Sequence, residues 1–477
     1  MVHRDDADVT LLESRSPQLP SRLLARFAEA SLSEVEAAVG RARKAQRQWH
    51  RMPATSRANT LGECAESLSQ ASAELIELGI AEIGKPRREM AAELARGIGI
   101  LRYYAQSALD PDGQTYPSPE GVSVLLSWHR PRGVVGLITP WNFPVAIPLW
   151  KAAPALAYGN AVLLKPAPAA TAMALKLAKV LEPKLPSGLF QIITGGVTAG
   201  KAVVEVADAI SFTGSRAVGR SVVSAAAARG VPVQAEMGGQ NPAIVLPDAD
   251  LGWVAEVVAA AAMSYAGQKC TATSRIIVVG DPAPFTDALV AAVEALTYGD
   301  PSDEDVVVGP VIDDASRRAV LRAVEMARAD GGQILTGGVT PDRVGYFVDP
   351  TLVRGIGADH HLAQEELFGP FALVLSSTDQ DEAVRIANQS RYGLVASVFT
   401  RDLNAALTMV SQLRAGMVRI NGPTTGVDLY APFGGTKDSS YGTREQGKAA
   451  LDFYTETQTV TLATASGHAG SSSKEGR

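Results

Sequence analysis

Three side chains, far apart in the chain, have the types needed for covalent chemistry: a thiol, a carboxylate and a carboxamide. Cys270 lies in Ala266-Gly-Gln-Lys-Cys-Thr-Ala-Thr-Ser274. Small neighbours leave its sulfur open to a substrate, and Lys269 offers a nearby cation that would favour the nucleophilic thiolate. The same cysteine also suits a buried small hydrophobe, which is the only reading available to Cys64. Glu236, in Gln234-Ala-Glu-Met-Gly-Gly-Gln-Asn-Pro242, follows an apolar strand and precedes two glycines. A carboxylate at the carboxyl end of a parallel strand sits where ligands gather, or else simply caps the next loop. Asn142, in Thr139-Pro-Trp-Asn-Phe-Pro144, lies between two prolines that restrain its loop, so its amide could donate to a developing oxyanion. It could equally satisfy the turn's own backbone. Phe212-Thr-Gly-Ser-Arg-Ala-Val-Gly219 reads as a strand end, a glycine turn capped by Ser215 and a helix start, whose free amides suit a pyrophosphate. Its spacing is not that of Gly-x-Gly-x-x-Gly, and one-glycine strand–turn–helix units are common.

The elements that must hold these residues follow from the apolar pattern. Residues 33–109 are expected to be helical, with Ser33-Glu-Val-Glu36 as a capping box. A Gly/Pro/Ser-rich passage over 110–121 interrupts them, and strands follow at 122–128 and 134–138. From 160 to 239 strands (161–165, 190–193, 209–212, 231–235) alternate with helices (171–181, 198–206, 216–228), which predicts a doubly wound parallel sheet. A second α/β region runs from 250 to about 418. Its expected helices are 251–265, 284–296, 314–329 and 380–388, with strands at 275–279, 333–335 and 371–376. Residues 466–477 are of low complexity and are expected to be disordered.

Composition narrows the function class. A chain of 477 residues exceeds the usual limit of one core, so two or three domains are expected. A net charge of −6 gives no reason to expect nucleic acid, and the basic clusters Arg41-Ala-Arg-Lys44 and Pro86-Arg-Arg88 read as solvated helix faces. With only two cysteines no disulfide framework forms, and a reducing cytoplasmic setting is expected. The polar, acidic start is no signal peptide, and the apolar runs are too short to cross a membrane. Six scattered histidines lack zinc-site spacing, so no metal is expected; His360-His361 reads as a surface loop.

In this order the segments resemble the aldehyde dehydrogenase superfamily over about residues 31–460. The motifs that carry the resemblance are Pro140-Trp-Asn-Phe-Pro144, Leu164-Lys-Pro166, Ser211-Phe-Thr-Gly-Ser215, Glu236-Met-Gly-Gly239 and Gly267-Gln-Lys-Cys270. They continue with Glu365-Glu-Leu-Phe-Gly-Pro370, Asn388-Gln-Ser-Arg-Tyr-Gly-Leu394 and Pro432-Phe-Gly-Gly-Thr-Lys437. The resemblance implies two doubly wound α/β domains plus a small β arm for oligomerisation. The cofactor-binding domain would span 1–112 and 132–238, the catalytic domain 239–437, and the arm 113–131 and 455–464, giving a homodimer or homotetramer.

It also implies a mechanism. Cys270 attacks an aldehyde, the Asn142 side chain and the Cys270 N–H hold the oxyanion, hydride leaves to a nicotinamide, and Glu236 activates water to hydrolyse the thioester. Glu445, in Arg444-Glu-Gln-Gly447, resembles a second glutamate that assists proton transfer. Cofactor contacts are implied for Thr139, Pro140, Trp141, Lys165, Pro168, Gly195, Phe212, Thr213, Gly214, Ser215, Val218, Glu236, Gly238, Glu366 and Phe368. Trp150 and Phe433 would wall the substrate tunnel, or else pack in the core.

Two positions depart from the family pattern. NAD-preferring relatives often carry glutamate where this chain has Pro168, so NADP⁺ should be accepted beside NAD⁺, with a preference for it left open. Gln240 replaces a usual lysine and is expected to alter a structural contact only. Residues 147–159, 267–275, 426–433 and 441–447 look most like the α-ketoglutaric semialdehyde dehydrogenases, which implies an acidic or oxo-aldehyde first and an aliphatic or aromatic aldehyde second. A CoA-acylating relative would typically lack Glu236, a non-catalytic scaffold would not need all three groups, and a cysteine hydrolase would need a histidine beside Cys270.

Overall fold

The strands Val134–Thr139, Ala161–Pro166 and Ala209–Thr213 are buried at every residue. Continuous burial without alternation marks a parallel sheet covered on both faces. A computed structural model, describing residues 10–118 and 123–463, places them at the centre of a six-stranded sheet. The order is Ser440–Tyr441, Val233–Glu236, Ala209–Thr213, Val134–Thr139, Ala161–Pro166, Phe190–Ile192. All pairs are parallel except the first, at the edge. Helices Thr171–Leu181, Val197–Val206 and Arg216–Ala228 make the crossovers. Thr139, Lys165, Thr213 and Glu236 therefore lie together at the carboxyl ends of adjacent strands, where Ile138 pairs with Lys165 and Thr213 with Glu236.

The expected helical region resolves into four helices, Leu32–Arg51, Ala54–Gln70, Ser72–Ile83 and Arg87–Ser107. Its capping box is Ser31 with Glu34, not Ser33 with Glu36. Both pairs satisfy the Ser-x-x-Glu pattern, and burial of Val35, Ala38 and Ala42 sets the earlier start. A hairpin that the sequence pattern did not announce, Leu11–Arg15 with Leu23–Ala28, precedes them.

The second sheet has seven strands in the order Gln333–Thr336, Thr351–Arg354, Phe371–Ser377, Thr273–Val279, Asn241–Val245, Val395–Phe399, Met417–Ile420. Only the first pair is antiparallel. Aspartates cap its helices: Asp250, Asp313, Asp379 and Asp402 each accept from an amide of the first turn, satisfying donors that would otherwise be orphaned. The helix expected over 251–265 ends at Met263, because Tyr265 and Ala266 adopt left-handed backbone. A third sheet joins Thr455–Ala463, Ser123–Pro131 and Gly113–Tyr116, all antiparallel. Residue 122 of the expected strand and the expected disordered tail lie outside the described residues.

Candidate active site

Cys270 is held by a strained loop. Tyr265 and Ala266 have φ of 53° and Gly267 has φ of 65°. For the two residues with a Cβ this conformation costs roughly 1–2 kcal/mol each. Glycine at 267 is also required by contact, since a Cβ there would lie 2.3 Å from Gly369 O. Buried Gln268 fastens the loop: its Nε2 donates to Tyr265 O (3.2 Å) and Pro310 O (3.1 Å), and its Oε1 accepts from Ile312 N (2.8 Å). Asn241 Nδ2 donates to Cys270 O at 2.8 Å. Cys270 then lines a pocket of about 290 Å³ with Phe143, Trp150, Phe433, Thr271 and Arg96. The Trp150 and Phe433 rings pack 5.3 Å apart, so these two residues do wall the cavity that reaches the sulfur.

The expectation that Lys269 would activate the thiol is not met. Its ammonium is committed to Glu89 Oε1 (2.6 Å) and Ser264 Oγ (2.8 Å). Burial, reinforced by the charges of Glu366 and Glu236, pushes the Cys270 thiol up to about 12. Buried Cys64 is also pushed up to about 12, mainly by burial, consistent with an inert core residue. What distinguishes Cys270 is its pocket and the carboxylates beside it.

Glu236 closes strand Val233–Glu236 and accepts from Ser440 Oγ at 2.6 Å. Burial, then the Glu445 charge, hold its carboxyl well above the usual carboxylate range. Glu445 is buried too. Its Oε1 accepts from Lys151 Nζ and from Ser211 Oγ (3.2 Å), while its Oε2 has no partner. Lys151 Nζ also donates to Ser211 Oγ at 2.8 Å. A raised thiol and a raised carboxyl thus stand in one buried site, where the nucleophile and the base each act in the deprotonated form.

Asn142 is 2% exposed, and its Nδ2 donates to Gln268 O at 2.9 Å, joining the loop after the first sheet to the loop bearing Cys270. Its position depends on an ion pair that sequence reading missed. Lys85 Nζ donates to Asn142 O (2.9 Å) and to Glu93 Oε2, and it lies 3.4 Å from the Phe143 ring centre. Glu93 Oε1 accepts from Val145 N (2.8 Å) and Ala146 N (2.9 Å). Both charged side chains are fully buried. The spacing of Lys85 and Glu93 alone carries no signal for this pair, because the loop they serve begins 46 residues after Glu93, at Thr139.

A second cleft, about 630 Å³, is lined by Ile138, Lys165, Gly196, Val218 and Val222 among others. Burial pulls Lys165 down to about 8. The hydroxyls of Thr139 and Thr213, at the same strand ends, are buried without a partner. Ser215 stands at the N-cap of helix Arg216–Ala228, but its hydroxyl makes no capping bond, contrary to expectation, so the first-turn amides remain uncapped. Orphaned hydroxyls, an uncapped helix start and apolar walls fit a dinucleotide.

Glu366 Oε1 accepts from Gly239 N at 3.0 Å, and a Cβ on Gly238 would lie 2.0 Å from Glu366 Oε2. Phe368, with φ of 55°, packs edge-on to Trp141 at 5.7 Å. Pro140 and Gly214 are half-buried at the ends of their strands, whereas Phe212 is buried in the core. Gly195 packs against Ala199 and Glu29, leaving Gly196 on the cleft, and Pro168 opens the short turn Pro168–Ala170 beyond Lys165. Gln240 bridges Glu365 O and the Ser274 hydroxyl, a structural contact as expected. His360 caps helix His361–Gln364 and meets Asp330 at 2.9 Å. Among the described residues no group of three or more potential metal ligands occurs.

A family model described as the aldehyde dehydrogenase family matches residues 3–460. The chain is 41% identical over 439 residues to an α-ketoglutaric semialdehyde dehydrogenase of Bacillus subtilis, covering 90% of this chain and 89% of the relative. It is 39% identical over 458 residues to an α-ketoglutarate semialdehyde dehydrogenase of Haloferax volcanii, covering 94% and 95%. Among solved structures it is similar to an NAD-dependent aldehyde dehydrogenase of Sinorhizobium meliloti (TM-score 0.93, 32% identity, 96% and 93% covered). A betaine aldehyde dehydrogenase of Staphylococcus aureus in complex with NAD⁺ gives a TM-score of 0.93 at 29% identity, with 99% and 95% covered. Matched in sequence and in fold along nearly its whole length, this chain belongs to the aldehyde dehydrogenase family.

Proposed function

We propose that this NAD(P)-dependent aldehyde dehydrogenase oxidises a semialdehyde carrying an oxo-acid, of the α-ketoglutaric semialdehyde type, through a thioester on Cys270. The observation that carries the roles is convergence: Asn142 bonds the peptide two residues before Cys270, and the Glu236 charge acts on the Cys270 thiol. The thiolate form of Cys270, its proton released to solvent, adds to the aldehyde carbon. The free Asn142 Nδ2 hydrogen and the Cys270 N–H stabilise the oxyanion, a charge that exists only during reaction. Lys165, the Thr139 and Thr213 hydroxyls, the amides after Ser215, Glu366 and Phe368 would hold the dinucleotide, with Gly238 leaving room for Glu366. Bound there, NAD(P)⁺ supplies the hydride acceptor. Once the carbonyl re-forms as a thioester, Glu236 activates water, and the acid departs with the thiol restored. Glu445, tied to Lys151 through one oxygen, offers the other as a proton acceptor.

The substrate class is supported by the names of the relatives above, and by a 2,5-dioxopentanoate dehydrogenase of Saccharolobus solfataricus at 36% identity. Pro168 supports use of NADP⁺ as well as NAD⁺. Exposed Val124, Trp128 and Leu462 on the three-stranded sheet support its role as an oligomerisation arm of a dimer or tetramer. Two free cysteines support a reducing, cytoplasmic setting, and no described helix is long and apolar enough to cross a membrane. An aldehyde panel with NAD⁺ and NADP⁺, followed by absorbance of the reduced nicotinamide, tests the reading. Oxo-acid semialdehydes should give the highest kcat/KM without CoA; a requirement for CoA, or a better rate with plain aliphatic or aromatic aldehydes, would overturn it.

A further inference from the structure

The pocket that reaches Cys270 is floored by one face of helix Arg87–Ser107, where Glu89, Glu93 and Arg96 recur at helical spacing. The first two are neutralised. Glu89 pairs with Lys269, and Glu93 pairs with Lys85 while accepting from two backbone amides. Arg96 is different. Half-buried on the same wall, it donates through Nη1 to Val427 O and forms no ion pair among the described residues. A guanidinium has five N–H donors in a planar fork, so Arg96 has donors to spare in a partly desolvated site.

Cys270 lies on the same pocket, and burial together with nearby Glu366 and Glu236 makes the surroundings of its sulfur unfavourable for a second anion. A substrate with a carboxylate would therefore enter with that group away from the sulfur and its aldehyde towards it. Gly426 and Val427, on the segment that Arg96 holds, complete the wall, and Arg419 donates to Gly426 O from the other side.

We propose that Arg96 is the carboxylate anchor of the substrate pocket, selecting aldehydes that bear an acid at the far end from the carbonyl that Cys270 attacks. This rests on the proposed oxo-acid substrate class and adds to it the residue that recognises the acid. A fork-to-carboxylate contact at a half-buried site accounts for preference over an uncharged aldehyde of equal length and over a cationic aminoaldehyde.

The test uses the full chain and compares a five-carbon semialdehyde bearing a terminal carboxylate with pentanal. In the wild type the carboxylated aldehyde should have the higher kcat/KM. Arg96→Met should reduce the ratio of the two kcat/KM values by roughly 10- to 100-fold, mainly through KM, as expected for one charged hydrogen-bond partner. Arg96→Lys, which keeps the charge and loses the fork, should fall between. Binding is read separately: pentanoate, which carries one carboxylate and no aldehyde, should slow iodoacetamide alkylation of Cys270 in the wild type and fail to do so in Arg96→Met. If the wild type prefers the carboxylated aldehyde but both variants keep the wild-type ratio and pentanoate protection, the anchor is overturned while the substrate class stands. If the wild type shows neither preference nor protection, the substrate class itself fails.

Discussion

Replacing Asn142 by alanine isolates the carboxamide that this account places on the oxyanion. The side chain makes one hydrogen bond, from Nδ2 to Gln268 O at 2.9 Å, and has a second hydrogen to give. Losing a preorganised donor of this kind lowers kcat by about 10²–10³-fold, equivalent to roughly 2.7–4 kcal/mol of transition-state stabilisation. The substitution also strands the buried Gln268 carbonyl, which should cost about 1–3 kcal/mol in denaturant unfolding. These two effects can be separated. Alkylation of Cys270 by iodoacetamide needs the sulfur but no oxyanion donor, so its rate should stay within a few-fold of wild type while kcat collapses. A kcat loss of less than about fivefold in a folded protein would refute the donor role. A loss of alkylation matching the loss of turnover would show instead that Asn142 acts only by holding the Cys270 loop.

The remaining predictions concern protons, space and cofactor choice. Burial pushes the Cys270 thiol up to about 12 and holds Glu236 well above the usual carboxylate range, and the reactive forms are the deprotonated ones. The kcat/KM should therefore climb with rising pH above neutrality as the thiolate fraction grows; a profile that falls as pH rises contradicts the assignment. Gly239 has no room for a side chain, because a Cβ would lie 2.8 Å from Cys270 O and 2.7 Å from Asn241 Oδ1. Gly239→Ala should lower turnover by about 10²-fold by moving the sulfur, with the cooperative unfolding transition retained. Pro168→Glu should raise the NAD⁺ to NADP⁺ ratio of kcat/KM by roughly tenfold, since a carboxylate facing a 2′-phosphate is a like-charge contact; an unchanged ratio would place position 168 away from the ribose.

Much of the fold was legible because burial writes itself into apolar runs. The strands Val134–Thr139, Ala161–Pro166 and Ala209–Thr213 contain few polar residues, and the helices between them announce parallel crossovers. Strand position placed Glu236 and the turn after Phe212 at carboxyl ends, whereas the family resemblance pointed to Thr139 and Lys165. Short or irregular pieces were not legible. The hairpin Leu11–Arg15 with Leu23–Ala28 carries little periodicity, and Ser31 and Ser33 offer competing caps. Less visible still were contacts between distant residues. Lys269 looked like the cation for Cys270 because it is adjacent, yet its partner is Glu89, 180 positions earlier. The Lys85–Glu93 pair beneath Asn142 and the left-handed turn at Tyr265 and Ala266 depend on packing that no local spacing encodes. The resemblance to a family implied roles, whereas the packing around each side chain is the reason it stays in place.

The most direct test of the account is the mass of the protein during turnover. Glu236→Gln, mixed with a carboxylated semialdehyde and NAD(P)⁺ and quenched in acid, should carry one acyl group, mapped by peptide mass to Cys270, with a matching burst of reduced nicotinamide. No adduct on Cys270, or continued cofactor reduction by Cys270→Ala, would contradict the central claim.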